Sequence, residues 1–207
     1  MDSDKPIDGR RARRTKSRQA VIEAMFDLVQ EGKVPPEIED VAERAGVSVS
    51  SVFRNFDGIG DLQHQALQWF QQQYGHLFEV NDADESLADR LRSHVRSRVM
   101  MADEVGPLLR LARARAVDHE KMVGSTATVR GRMAEQTRQR FAKEIRQLSP
   151  AQAANLTALI DSTTSLEAYE VMTAAHARSS RQITTAWIGA LEAFLAPVLA
   201  NESETPS

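Results

Sequence analysis

The chain has 207 residues, 42% hydrophobic and 27% charged, with a net charge of −3, a composition that fits neither a disordered nor a membrane-spanning protein. It has no cysteine, which excludes disulfides, thiolate nucleophiles and Cys-type zinc sites. No apolar run is long enough for a membrane helix, and the opening MDSDKPIDGRRARR is charged where a secretory signal is apolar, so a cytoplasmic protein is expected.

From Gly9 to Arg18 the chain places six basic residues and no acid. On an acidic body this is either a phosphate-contacting arm or a solubilising tail. Residues 1–13 are expected as a flexible basic arm and 14–31 as the first helix. In that helix Ile22, Met25, Phe26 and Val29 form one stripe and Val21, Ala24, Met25 and Leu28 another. A helix apolar on two sides packs between two layers. Gly32 ends it.

Pro36 opens a second, short helix, with Glu37, Glu39 and Asp40 at its positive end. Ile38, Val41, Ala42 and Ala45 share one side, and Gly46 closes it. Ser48 reads as the N-cap of a third helix, from Val49 to Asn55. After a break at Phe56-Asp57-Gly58, a long helix is expected over 59–78. Its glutamines between 68 and 73 form a solvated face, and Trp69, Phe70 and Tyr74 point inward.

Further helices are expected over 86–103, 107–118, 126–148 and 150–178. The first carries a capping pattern at Ser86 and Asp89. A last helix is capped by Ser179 with Gln182 and ends by residue 200, and the tail 201–207 is expected to fray. No segment alternates like a strand, so the fold class is all-α.

Two short helices joined by a turn containing glycine form a helix-turn-helix. Val47 fits the angle between the helices, and Val52 and Phe56 seal the second against the first. That leaves Ser48, Val49, Ser50, Ser51, Arg54 and Asn55 facing outward. Small hydroxyls let a helix approach a major groove closely, valine meets a thymine methyl, and Arg and Asn bond phosphates or base edges. The other reading is an ordinary helix hairpin with a solvated second helix. The basic stretch just upstream favours DNA.

Residues 14–67 resemble the N-terminal domain of the TetR family of transcriptional regulators. The resemblance rests on Gly32, Val41-Ala42, Ala45-Gly46-Val47-Ser48, Phe53-Arg54-Asn55-Phe56 and Asp61-Leu62, in order and spacing. It implies a helix-turn-helix domain over 14–58 and a helical effector-binding and dimerisation domain over 59–200. It also implies a homodimer on a pseudo-palindromic operator in double-stranded DNA, released by a small-molecule effector, with repression as the family's default and no cofactor. The chain departs from the family in three places. Val34-Pro35-Pro36 replaces a capping Thr or Ser, Phe53 replaces a Tyr whose hydroxyl meets a phosphate, and Gly60 replaces a Lys. The arm from Arg10 to Arg18, Lys33 and Arg54 are therefore expected to carry more of the phosphate binding. The expected DNA contacts are Arg13, Arg14, Lys33, Ser48, Val49, Ser50, Ser51, Phe53, Arg54 and Asn55.

In the remainder, Leu159, Thr163, Leu166 and Glu170 form one stripe, and Ile183, Trp187, Leu191, Phe194 and Val198 another. These are either a four-helix dimer interface or a monomer core. A helix-turn-helix reads two half-sites, so Leu166, Trp187, Leu191 and Phe194 are expected at the interface. His94 and Arg98 edge the stripe of Leu91, Val95, Val99 and Ala102, and Arg110, Arg115 and His119 follow. They are either a cationic lining for an anionic, partly apolar effector or solvated side chains that pair with Asp89, Asp103 and Glu104. The Ser162–Ser165 cluster admits pocket polarity, close helix packing or a bend.

No phosphate-binding loop, dinucleotide fingerprint or HExxH occurs, and the five histidines are scattered, so neither an enzyme nor a metal site is expected. An architectural DNA-binding protein without an effector is the alternative from another class.

Overall fold

The structure, a computed structural model, describes residues 5–33, 36–56, 65–66, 69–70, 72–116 and 120–203, among which there is no strand. Val34-Pro35, Gly58, Gly60, Asp61-Leu62, Gln68, Gln71 and His119 lie outside the described residues. Of the expected 59–78 helix, positions 65–66, 69–70 and 72–74 are helical, and Gly75–Phe78 is a tighter 3-10 turn. The chain divides into two compact units, Met1–Tyr74 with Pro107–Ser125, and Gly75–Gly106 with Thr126–Ser207.

The first unit holds α1 (Lys5–Gln30), α2 (Ile38–Arg44) and α3 (Val49–Asn55). α1 starts at Lys5, so residues 5–13, expected as a flexible arm, are helical. Their arginines and alanine are good helix formers, and the Thr15 hydroxyl donates back to the Arg11 carbonyl at 3.1 Å. Both apolar sides of α1 are buried: Val21, Ile22, Ala24, Phe26, Leu28 and Val29 are 7% exposed or less. Such burial stabilises by about 1.5–3 kcal/mol for each large side chain. Val41 and Ala42 of α2 and Val52 of α3 close the same core. The Phe26 and Trp69 rings lie 4.3 Å apart and Phe70 is buried, as expected for inward aromatics.

Glycine decides the two turns. Gly32 has φ +91° and Gly46 φ +66°, the left-handed region that side chains resist. At the end of α2 the Gly46 N–H bonds the Glu43 carbonyl and the Val47 N–H bonds the Ala42 carbonyl, both at 3.0 Å. That double closure satisfies the last carbonyls and swings the chain sharply into α3.

The second unit contains part of α4 (Leu87–Ala116) and of α5 (Glu120–Arg140), then α6 (Ala142–Ile145), α7 (Pro150–Thr163), α8 (Leu166–Glu170), a wide π turn over Val171–Ala175, and α9 (Ser180–Ser203). Its core joins Leu91, Val95 and Val99 of α4 to Phe141, Ile160 of α7, Tyr169 of α8, and Ile183, Trp187, Leu191 and Leu195 of α9.

Two expected boundaries differ. The helices expected over 86–103 and 107–118 are one, with Pro107 inside it. Proline removes one intrahelical bond, but Val105 and Leu108 beside it are buried, and that burial outweighs the loss. The helix expected over 150–178 is broken at Thr164. There the Ser162 and Thr164 hydroxyls donate to the Ala158 and Ile160 carbonyls at 2.7 and 2.8 Å, and Ser165 caps α8 by accepting the Ala168 N–H. Of the three readings of the Ser162–Ser165 cluster, the bend is the one observed.

Two of the expected interface residues, Trp187 and Leu191, are corrected, since both are sealed inside the protomer. Trp187 is 3% and Leu191 0% exposed, and Leu166 and Phe194 are partly buried against the same core. α9 turns Ile183, Trp187, Leu191 and Leu195 into its own protomer, where they join Ile160 of α7 and Val95 and Val99 of α4.

Candidate nucleic-acid interface

α3 is built for display. Ser48 caps it, its side chain accepting the Ser51 N–H at 3.2 Å. The three serines form one network: Ser48 Oγ lies 3.1 Å from Ser50 Oγ and 2.9 Å from Ser51 Oγ. Arg54 Nη2 donates to Ser50 Oγ at 3.3 Å and to Ser51 Oγ at 3.1 Å. The hydroxyls therefore hold the guanidinium along the helix face, a preorganised cation beside small donors. Phe53 stands next to it, 68% exposed. Buried Val52 alternates with this face and anchors it to the first unit.

Asn55 does not belong to the outward face. It is 7% exposed, and its Nδ2 donates to Ser17 Oγ of α1 at 2.8 Å. Its position three residues after buried Val52 places it on the inner side of the helix, where a polar group needs a partner. Arg18 is also committed internally: its Nε donates to the Asn55 carbonyl, and its guanidinium lies 5.8 Å over the Phe56 ring. The basic residues of α1 thus divide, with Arg13 and Arg14 exposed and Arg18 fastening the end of α3.

Lys33 pairs with Asp40 at 3.1 Å. Arg44 of α2 grips Glu31 with two bonds of 2.8 and 2.7 Å, and that hydrogen bonding holds the Glu31 carboxyl below its usual range. Both pairs link α2 to the end of α1 at the exposed surface, where an ion pair contributes little to stability.

The expected effector residues fall in both units. Arg110 is exposed in the first unit, and Arg115 lies on α4 with its side chain outside the described ones. His94 and Arg98 are not at an edge but in the interior of the second unit, 0% and 2% exposed. Around them lies a polar layer that sequence reading missed. Arg90 and Glu144 form a buried two-bond pair of 2.8 and 2.5 Å, and Arg140 donates to Asp82 at 3.0 Å. Arg98 Nη2 donates to Asp161 Oδ1 and Thr137 Oγ1 at 2.9 Å each and to the Met133 carbonyl at 2.7 Å.

Burial, with Arg140 nearby, takes Arg98 down to about 10 despite its bond to Asp161. Burial, with the charges of Arg98 and Arg140, holds His94 well below its ordinary value, so His94 is neutral. Thr137, Arg140 and Glu144 recur at three- and four-residue spacing, as Gln136 and Arg140 do. That is a helix-face signal, but one that reads as a solvated face when partners from other helices are unknown.

Among the described residues no helix is long and apolar enough to cross a membrane, and no cluster of His, Asp and Glu is arranged to hold a metal.

No protein-family model and no curated protein matches the chain. A crystal structure from Rhodococcus sp., described as a "putative TetR-family transcriptional regulator", is similar to it with a TM-score of 0.59. The likeness covers 87% of this chain and 99% of that one at 21% identity. The chain therefore has that regulator's fold, an N-terminal helix-turn-helix followed by a helical domain.

Proposed function

We propose that this protein is a TetR-family transcriptional regulator, a cytoplasmic homodimer that binds a pseudo-palindromic operator and is released from it by a small molecule. The observation that carries the reading is the α3 face, where three serine hydroxyls and Arg54 lie together on a short helix rigidly set by Gly46. That face matches what a major groove offers, acceptor edges and phosphates within reach of short donors. Arg13 and Arg14 add positive charge from the start of α1. The shared fold supports the same reading independently.

The dimer in this reading uses the outward side of α7 and α9, which pack on each other. That side carries Leu159, 50% exposed, beside Ala158 and Ser162, and on α9 Ala186, Gly189 and Ala193, all exposed. Small residues let helices from two copies approach closely. Two copies are needed because one short helix reads only half of a site, and half-sites lie about 34 Å apart along the duplex.

The test is sedimentation of the free protein and of its complex with duplexes selected from a random pool. The reading expects two or more protomers on each recovered duplex, and recovered sequences with inverted symmetry. Recovery of no preferred sequence favours the architectural role, and no binding at low salt removes the DNA reading altogether.

A further inference from the structure

The interior of the second unit holds buried polar atoms, the Arg98 donors foremost, that find no partner among the described residues. Arg98 is buried on α4, and its hydrogen bonds to described residues all use Nη2. Its Nε and Nη1 find no partner among the described residues. His94, one helical turn earlier, is fully buried with Nδ1 unpartnered, and Gln136 of α5 leaves its Oε1 unpartnered. A buried polar group without a partner costs roughly 1–3 kcal/mol, more when it is charged. Arg98 bears this cost with three N–H hydrogens at once.

The surroundings point to a ligand rather than to idle strain. The site borders the apolar core, with the His94 ring edge-on to Phe141 at 5.3 Å between centroids. It also borders the break between α7 and α8: Thr164 lies 1% exposed with Oγ1 3.4 Å from His94 Nε2. The Thr164 hydroxyl hydrogen is already engaged by the Ile160 carbonyl at 2.8 Å, so Thr164 accepts from His94. The Asp161 side chain, partner of Arg98, retains 23% exposure and marks the side open to solvent.

We infer that this interior is the effector site of the proposed regulator, and that it takes a carboxylate on an otherwise apolar molecule. The carboxylate accepts from Arg98 Nε or Nη1, and the apolar part lies against the core beside Trp187. Arg98 presents three cationic N–H donors and no acceptor, which a negatively charged acceptor head complements. The inference rests on the regulator reading only for the word effector; the binding itself does not.

The experiment uses the full chain and three probes, butanoate, octanoate and dodecanoate, each against its methyl ester. Thermal midpoint and tryptophan emission are read across a titration, with Trp187 reporting from the core beside the site. The expected result is a saturable rise in midpoint with at least one acid, an emission change, and no response to the matching ester. Arg98→Lys keeps a charge for Asp161 but removes the unpartnered guanidinium donors. It should weaken the response about tenfold, as loss of a charged hydrogen bond does. Arg138→Ala, an exposed change on α5, should leave it intact.

No response to any acid overturns the inference and leaves buried water as the partner of Arg98. Equal response to acid and ester overturns the ligand class, and an unchanged response in a folded Arg98→Lys overturns the site. DNA binding is measured on the same samples without probe. Its absence defeats the regulator reading while leaving acid binding standing, and its presence with no acid response defeats this inference alone.

Discussion

Asn55 and Ser17 tie α3 to α1 through one side-chain hydrogen bond of 2.8 Å, thirty-eight positions apart in the chain. The bond is part-buried, and the neighbouring Arg18 bonds the Asn55 carbonyl. Asn55→Ala removes one partner and leaves the other to solvent. The expected loss is about 1 kcal/mol for the pair, with a coupling of similar size between Asn55→Ala and Ser17→Ala in a urea double-mutant cycle. Additive single-mutant effects would show that the contact does not hold α3.

Gly46→Ala should destabilise the protein by about 1 kcal/mol, because alanine resists φ +66°. No steric clash adds to this, since a Cβ there meets nothing within 4 Å. Gly46→Asn should cost less, as asparagine tolerates the left-handed region. Urea midpoints of the two variants check the order.

Glu144→Ala strands the Arg90 guanidinium inside the second unit and should cost about 3 kcal/mol or more. Burial alone would raise the Glu144 carboxyl, but the hydrogen bond from Arg90, a backbone hydrogen bond and the charges of Arg90 and Lys143 together outweigh it and hold the carboxyl below its ordinary value. The pair's contribution is therefore complete above the unfolded glutamate value of about 4.3 and is lost as the pH falls through the lower folded value. Unfolding midpoints measured downward from neutral pH should show that loss in the wild type.

His94 gives a second pH dependence, in a different window. Burial first, then the charges of Arg98 and Arg140, depress it in the folded state. The unfolded chain takes up the proton near pH 6.5 and the folded chain does not. Stability is thus full above about 6.5 and falls on acidification by up to about 1.4 kcal/mol per pH unit. His94→Leu should flatten the curve between neutral pH and the acid limb set by carboxylates. A slope unchanged by the substitution would show that another group titrates there.

The helix-turn-helix was legible because its determinants are local. Gly46, the Ser48 cap and the apolar spacing of Val41, Ala42 and Val52 all act within a few residues. What sequence reading misplaced depends on partners far along the chain. Asn55 reads as outward until Ser17 is known to face it. Trp187 and Leu191 suit an interface or a core equally, and only the packing of α9 on α7 decides between them. His94 and Arg98 were singled out by spacing, but their burial follows from Asp161, Thr137 and Thr164 on other helices. The start of α1 was missed because a run of arginines reads as a repelling arm, although the residues are individually good helix formers.

The central claim is that α3 reads DNA, and the direct measurement is binding of the protein to the duplex upstream of its own gene and to a scrambled duplex, across a salt series. Tight binding to the first, a salt slope of roughly −0.9 per phosphate contacted, and a slope shallower by about one unit in Arg54→Ala are the predicted result. Equal, weak binding to both duplexes, or a slope that Arg54→Ala leaves unchanged, would contradict it.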